Sequence, residues 1–271
     1  MFLLSGYFKR RVLLAVMGQW QTALLVCFIQ ALPSLLVTAL QNRLLPLPDV
    51  LGRTVAEVLA PYASVPSSTW WLLGGLQLLA EAIVCVLMVG RCHYFVDRLQ
   101  GGQGGLGMLF SRLSLTLRIL WLNIIMTVKV LLWSLLLLVP GYIAALRYSM
   151  APYYLAEDPT LTAMEAIEKS KNAMKETKMS LFALQVSFLG WVLLSQVLSI
   201  LLDDATGLAG TIVGLLCSVV ISTYMSGAQA GFFLTVSQPG AAQRLAGDPG
   251  GMLRELESQR DTSGDDDGEG E

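Results

Sequence analysis

Long apolar segments separated by short basic stretches constrain this chain more than any other feature. The runs near 20–40, 70–90, 117–139, 181–202 and 208–236 are mostly uncharged. Each is about 20 residues or longer, the length that carries a helix across ~30 Å of hydrocarbon. Within lipid the backbone N–H and C=O groups find no water, so a helix, which pairs them inside one segment, is the economical solution. The expectation is an all-α, polytopic transmembrane helix bundle. Composition agrees: 54% of the residues are hydrophobic and 14% charged, against about 25% charged in a soluble domain.

Charge placement orients the spans. Lys9, Arg10 and Arg11 precede the first; Arg91, Arg98, Arg112 and Arg118 follow the second; Lys169, Lys171, Lys175 and Lys178 precede the fifth. The first inter-span loop holds only Arg43 and Arg53, and the short turn expected at Asp203 and Asp204 holds no base. Basic loops stay on the cytoplasmic side. Keeping the lysine segment there requires 140–157 to count as a short fourth span, although it carries Arg147; a re-entrant or tilted helix is the alternative. The reading is six spans with both termini cytoplasmic, in a transmembrane domain over 1–236. The N-terminal basic cluster resembles a secretory signal, but the apolar run that follows is too long, so it reads as a retained span preceded by an interfacial helix at 8–18. From 237 to 271 the chain is expected to be a disordered cytoplasmic tail. Nine acidic residues against two arginines between Asp248 and Glu271 leave it no means of burying a core.

Between the fourth and fifth spans, 162–178 reads as an amphipathic cytoplasmic helix. Thr162 and Glu165 form a capping box, Leu161, Met164 and Ile167 share one side, and Glu165 and Lys169 sit at ion-pair spacing. Its lysines would suit anionic lipid headgroups; docking on the chain's own bundle is the competing role. In the last span Gly210, Gly214, Ser218, Ser222 and Ser226 recur every four residues, with Gly227 and Gly231 as a second pair. Such a face permits close helix packing, within the chain or between copies or membrane partners. Pro33 and Pro152 are expected to kink the first and fourth spans.

Three ionisable residues occupy costly positions: Glu81, Lys129 and Arg147. Counting helical rise from the basic ends places Glu81 and Lys129 at similar depth on consecutive antiparallel spans, which suggests an ion pair acting as a clamp or as part of a polar path. Arg147 would snorkel or bind lipid phosphate. The string Gly102-Gln103-Gly104-Gly105-Leu106-Gly107 satisfies G-x-G-x-x-G but follows a membrane helix, so it reads as a cytoplasmic loop. The scattered cysteines and the single histidine, His93, suggest neither a disulfide framework nor a zinc site. No catalytic constellation stands out, so no enzyme, cofactor, metal or nucleic-acid partner is expected.

The stretch Pro140-Gly141-Tyr142-Ile143-Ala144-Ala145-Leu146-Arg147-Tyr148-Ser149-Met150-Ala151-Pro152-Tyr153-Tyr154-Leu155-Ala156 resembles the signature of the bacterial DUF975 integral membrane proteins. The resemblance runs on through Ala163-Met164-Glu165-Ala166-Ile167-Glu168-Lys169-Ser170 and Phe188-Leu189-Gly190-Trp191. It singles out Pro140, Gly141, Arg147, Tyr148 and Pro152, and implies a bacterial cell membrane. That family's function is unknown. A more distant similarity is to the membrane domain of some glycerophosphodiester phosphodiesterases, without their catalytic domain. The functional expectation is a non-enzymatic membrane scaffold or accessory protein linked to envelope lipids. The alternative is a small-solute or ion transporter using the mid-membrane charges.

Overall fold

The computed structural model describes residues 20–45, 62, 65–175, 177–206 and 208–237. The expected interfacial helix at 8–18 and the acidic tail lie outside the described residues. The elements are α1 (Trp20–Leu44), α2 (Ser67–Leu99), two 3-10 turns (Leu106–Phe110 and Leu113–Leu115), α3 (Thr116–Leu136), α4 (Leu138–Tyr148), α5 (Ala151–Glu157), α6 (Ala163–Ala173), α7 (Lys178–Thr206) and α8 (Leu208–Val236). Among the described residues, five helical stretches are long and apolar enough to cross a membrane. Side chains such as Leu78 (74% exposed) and Leu135 (85% exposed) point outward where only lipid tails would welcome them.

The fourth segment departs from its expected form. Instead of one span over 140–157, it is two short helices, and neither is among the five long ones. At 11 residues, α4 rises only about 16 Å. The breaks have local causes. Leu137 is extended (φ −162°, ψ 146°) and separates α3 from α4. Pro140 falls in the first turn of α4, where a missing N–H removes no intrahelical bond. Pro152 lies in the first turn of α5. Its ring would clash with the carbonyl four residues back, and four residues back is Tyr148, the last residue of α4. Proline thus ends one helix and starts the next rather than kinking a continuous span, whereas Pro33 lies within an unbroken α1.

Across the Leu137 break, α3 and α4 form a close hairpin. Gly141 makes this possible: a Cβ there would lie 2.7 Å from Ser134 Cα. The return path ends near the start of α3, because Arg118 Nη1 donates to the carbonyls of Pro159 and of Leu161, the latter at 3.1 Å. Next, α6 packs against α3, α4 and α5, burying Ala163, Ala166, Ile167 and Ser170. Met164, expected on the apolar side, is instead exposed. The capping box is present, and Glu165 is engaged there: its carboxylate accepts from Thr162 N and Oγ1, both at 2.8 Å. No ion pair with Lys169 forms among the described residues.

The core is concentrated at the end of the bundle that contains the second half of α2. Tyr94 and Phe95 of α2, Leu155 of α5 and Phe232 and Phe233 of α8 are all essentially buried. Tyr153 stacks on Phe233 at 5.3 Å. The 3-10 turns after α2 fold back onto it, with Leu109 buried and Arg112 Nη2 3.5 Å from His93 Nδ1. The glycine-rich string is the C-terminal closure of α2. Gly101 takes the left-handed conformation (φ 90°), Gly104 N donates to Asp97 Oδ2 at 3.1 Å, and Arg98 Nη1 donates to Gly102 O at 3.1 Å. At the other end of the chain, α7 continues through Asp203 and Asp204 to Thr206. These aspartates therefore belong to a helix rather than to the expected turn.

Candidate functional site

Polar residues recur at helical spacing along α1: Gln30, Ser34, Thr38 and Gln41. On α2, Gln77, Glu81 and Arg91 do the same. Helical period puts each set on one face, and the antiparallel pairing of α1 with α2 brings the faces together. Near one end, Gln41 Nε2 donates to Gln77 Oε1 at 3.4 Å, and Gln77 Nε2 donates to Glu81 Oε1 at 2.9 Å. Toward the other end the two helices part around a cleft of about 280 Å³, lined by Gln30, Ser34, Leu35, Val84, Arg91 and, from α8, Ser222. Gln30 is 7% exposed, and its Oε1 is buried with no hydrogen-bond partner. A buried amide oxygen without a donor costs roughly 1–3 kcal/mol. Arg91 is half-buried and forms no ion pair among the described residues. Polar, amphipathic and partly unsatisfied, the cleft suits a ligand carrying both an anion and a hydrogen-bond donor.

Glu81 and Lys129 do not meet. Glu81 is exposed and accepts from Gln77, whereas Lys129 places Nζ 5.7 Å from the ring centre of Tyr148. The α2–α3 contact at that level includes Asn123 Nδ2 donating to Cys85 Sγ. Rise along the axis gave comparable depths, but rotation about it sends Glu81 toward α1 and Lys129 toward α4. Arg147 contributes its backbone. Ser170, fully buried on α6, donates to Arg147 O at 2.7 Å and accepts from Met150 N at 3.2 Å. One hydroxyl thereby satisfies groups left open where α4 stops and α5 starts.

Small residues of α8 serve more than one contact. Ser199 Oγ of α7 donates to Gly210 O at 2.9 Å, and a Cβ on Gly214 would lie 2.6 Å from that Oγ. Ser218 is exposed, Ser222 faces the α1–α2 cleft, and Ser226 is buried. Of the signature residues, Gly141, Tyr148 and Pro152 are all buried and build the α3–α4–α5 turn.

Sequence reasoning missed Gln30 and Arg91 as a pair. The available signal was the polar period on two successive apolar segments, which marks facing surfaces within a bundle. No curated protein and no solved structure matches the chain. The model of DUF975, described as a protein of unknown function, matches residues 64–239, which include the α3–α6 signature and Arg91, and the chain belongs to that family.

Proposed function

We propose that this multi-pass membrane protein is a non-enzymatic scaffold or accessory component linked to envelope lipids. The observation that carries the reading is the use made of the family signature. Gly141, Tyr148, Pro152 and Ser170, all buried, build a compact turn that holds α6 against the bundle, and the Ser170 hydroxyl is spent on backbone groups of that turn. The turn leaves Glu168, Lys169, Lys171 and Asn172 exposed on the outer face of α6, a charged surface suited to a partner or to anionic headgroups. The same geometry supports six crossings, since the 159–161 loop lies at the Arg118 end of α3. The transporter alternative finds less support, because Glu81 engages Gln77 and Lys129 lies over Tyr148 rather than meeting each other.

The test is photocrosslinking in native membranes from Glu168 or Lys171, each replaced by a photoreactive residue, with lipid-facing Leu131 as control. A discrete protein or lipid adduct specific to the α6 positions, lost from the Glu168 probe in Lys169→Glu/Lys171→Glu, is the expected result. Adducts indistinguishable from those at Leu131, or gradient-driven solute flux in proteoliposomes, would sink the proposal.

A further inference from the structure

The geometry points to the α1–α2–α8 cleft as a binding site for a phosphate ester that also carries a hydroxyl or amine donor, supplied by the headgroup of a phospholipid entering from the Arg91 side. This deepens the accessory reading by giving it a lipid ligand.

Depth is the first argument. Trp71 is exposed at the far end of α2, where tryptophan marks a headgroup boundary. Arg91 lies about twenty residues further on, roughly 30 Å of helical rise, near the opposite boundary. The second argument is chemistry. A guanidinium presents a planar fork of donors that matches two phosphate oxygens. Basic pockets between membrane helices on the cytoplasmic side are suited to anionic headgroups. Charge alone would leave Gln30 unexplained. Gln30 lines the same cleft, its buried Oε1 is an acceptor without a partner that a turn of the side chain would present to a ligand, and a phosphate brings no donor to it. A glycerol hydroxyl or an ammonium on the far side of the phosphate would. The third argument is shape. Leu35 and Val84 supply an apolar wall beside the polar groups, so an acyl chain can follow the headgroup without burying a polar surface. A free phosphate ester would use Arg91 and Gln30 but gain nothing from that wall.

The test uses the full-length chain, delipidated in detergent, with native mass spectrometry reading bound lipid during titration. The probes are phosphatidylglycerol, phosphatidylcholine, which has the same phosphate but no donor, and glycerol 3-phosphate. Wild type is expected to retain phosphatidylglycerol at least about tenfold better than Arg91→Gln, the scale of one charge-assisted bond pair. Gln30→Leu is expected to bring phosphatidylglycerol and phosphatidylcholine within about twofold of each other by removing the only acceptor assigned to the donor. If Arg91→Gln unfolds, Arg91→Lys keeps the charge, loses the fork, and must still show reduced retention. Equal retention by wild type and Arg91 variants overturns the site. Displacement of bound lipid by equimolar glycerol 3-phosphate overturns the lipid source. The two proposals fail separately: loss of the α6 crosslinks leaves Arg91-dependent retention untouched, and loss of that retention leaves an α6 protein adduct standing.

Discussion

At the scale of residues, close packing concentrates consequences at a few atoms. A Cβ on Gly90 would lie 2.7 Å from the carbonyl carbon of Leu109 and one on Gly141 would lie 2.7 Å from Ser134 Cα. Both obstacles are backbone, which cannot rotate away as a side chain can. Gly90→Ala and Gly141→Ala are therefore expected to destabilise the protein by about 1–3 kcal/mol each, read as a lowered thermal midpoint in detergent. Ser134→Ala should not rescue Gly141→Ala, since the Cα remains in place. Glu81 and Lys129 behave differently. With Glu81 bonded to Gln77 and Lys129 over Tyr148, a cycle of Glu81→Gln, Lys129→Met and the double variant should be additive within about 0.5 kcal/mol. Recovery of stability in the double variant would restore the ion pair that sequence depth suggested. Depth was legible because rise per residue is fixed. Facing was not, because which side of α2 meets α3 depends on packing by the whole bundle. The cleft was half legible: the polar period at Gln30, Ser34, Thr38 and Gln41 is visible in the sequence, but the unpaired state of Gln30 Oε1 appears only with three helices assembled.

At the scale of elements, α6 carries a pH-dependent start. Backbone and side-chain donors of Thr162 hold the Glu165 carboxyl below its ordinary value, and the Thr160 hydroxyl and amide do the same for Asp158 in the preceding turn. A depressed folded value means stability that is fully present above the ordinary carboxylate range and lost as pH falls through the folded value. The start of α6 should therefore weaken only in acid, below about pH 4. The expected readout is hydrogen exchange at 163–167 that accelerates as pH drops, beyond the intrinsic dependence. Thr162→Ala should raise exchange there at neutral pH and flatten the added acid dependence. This cap was fully legible, because its partners sit three residues apart. The break between α4 and α5 was only partly so. Pro152 announces a discontinuity, but helix resumption at Ala151 also relies on Ser170, whose hydroxyl arrives from α6 to serve Arg147 O and Met150 N. Local sequence cannot reveal a satisfier about twenty residues away.

At the scale of the molecule, the two ends of the bundle differ in kind. The end holding the second half of α2 has buried aromatics, the folded-back 3-10 turns, α5 and α6, whereas the middle and opposite end present exposed leucines and tryptophans along nearly every long helix. Such a surface is stable only against lipid or detergent, and its extent was readable from apolar run length alone. The number of crossings is a subtler quantity, because α4 and α5 are each too short to span yet together return the chain to the start of α3. The sidedness that follows can be measured with single cysteines at Ser67, Ser111 and Thr160, all exposed positions, against a background with the four native cysteines removed. An impermeant maleimide applied to sealed vesicles of one orientation should label Ser111→Cys and Thr160→Cys together, and Ser67→Cys only from the opposite face. Labelling of Thr160→Cys with Ser67→Cys would mean that the α3–α4 hairpin does not bring the chain back. The charged face of α6 and the Arg91 cleft would then open to opposite sides of the membrane, and a single lipid-linked role could not use both.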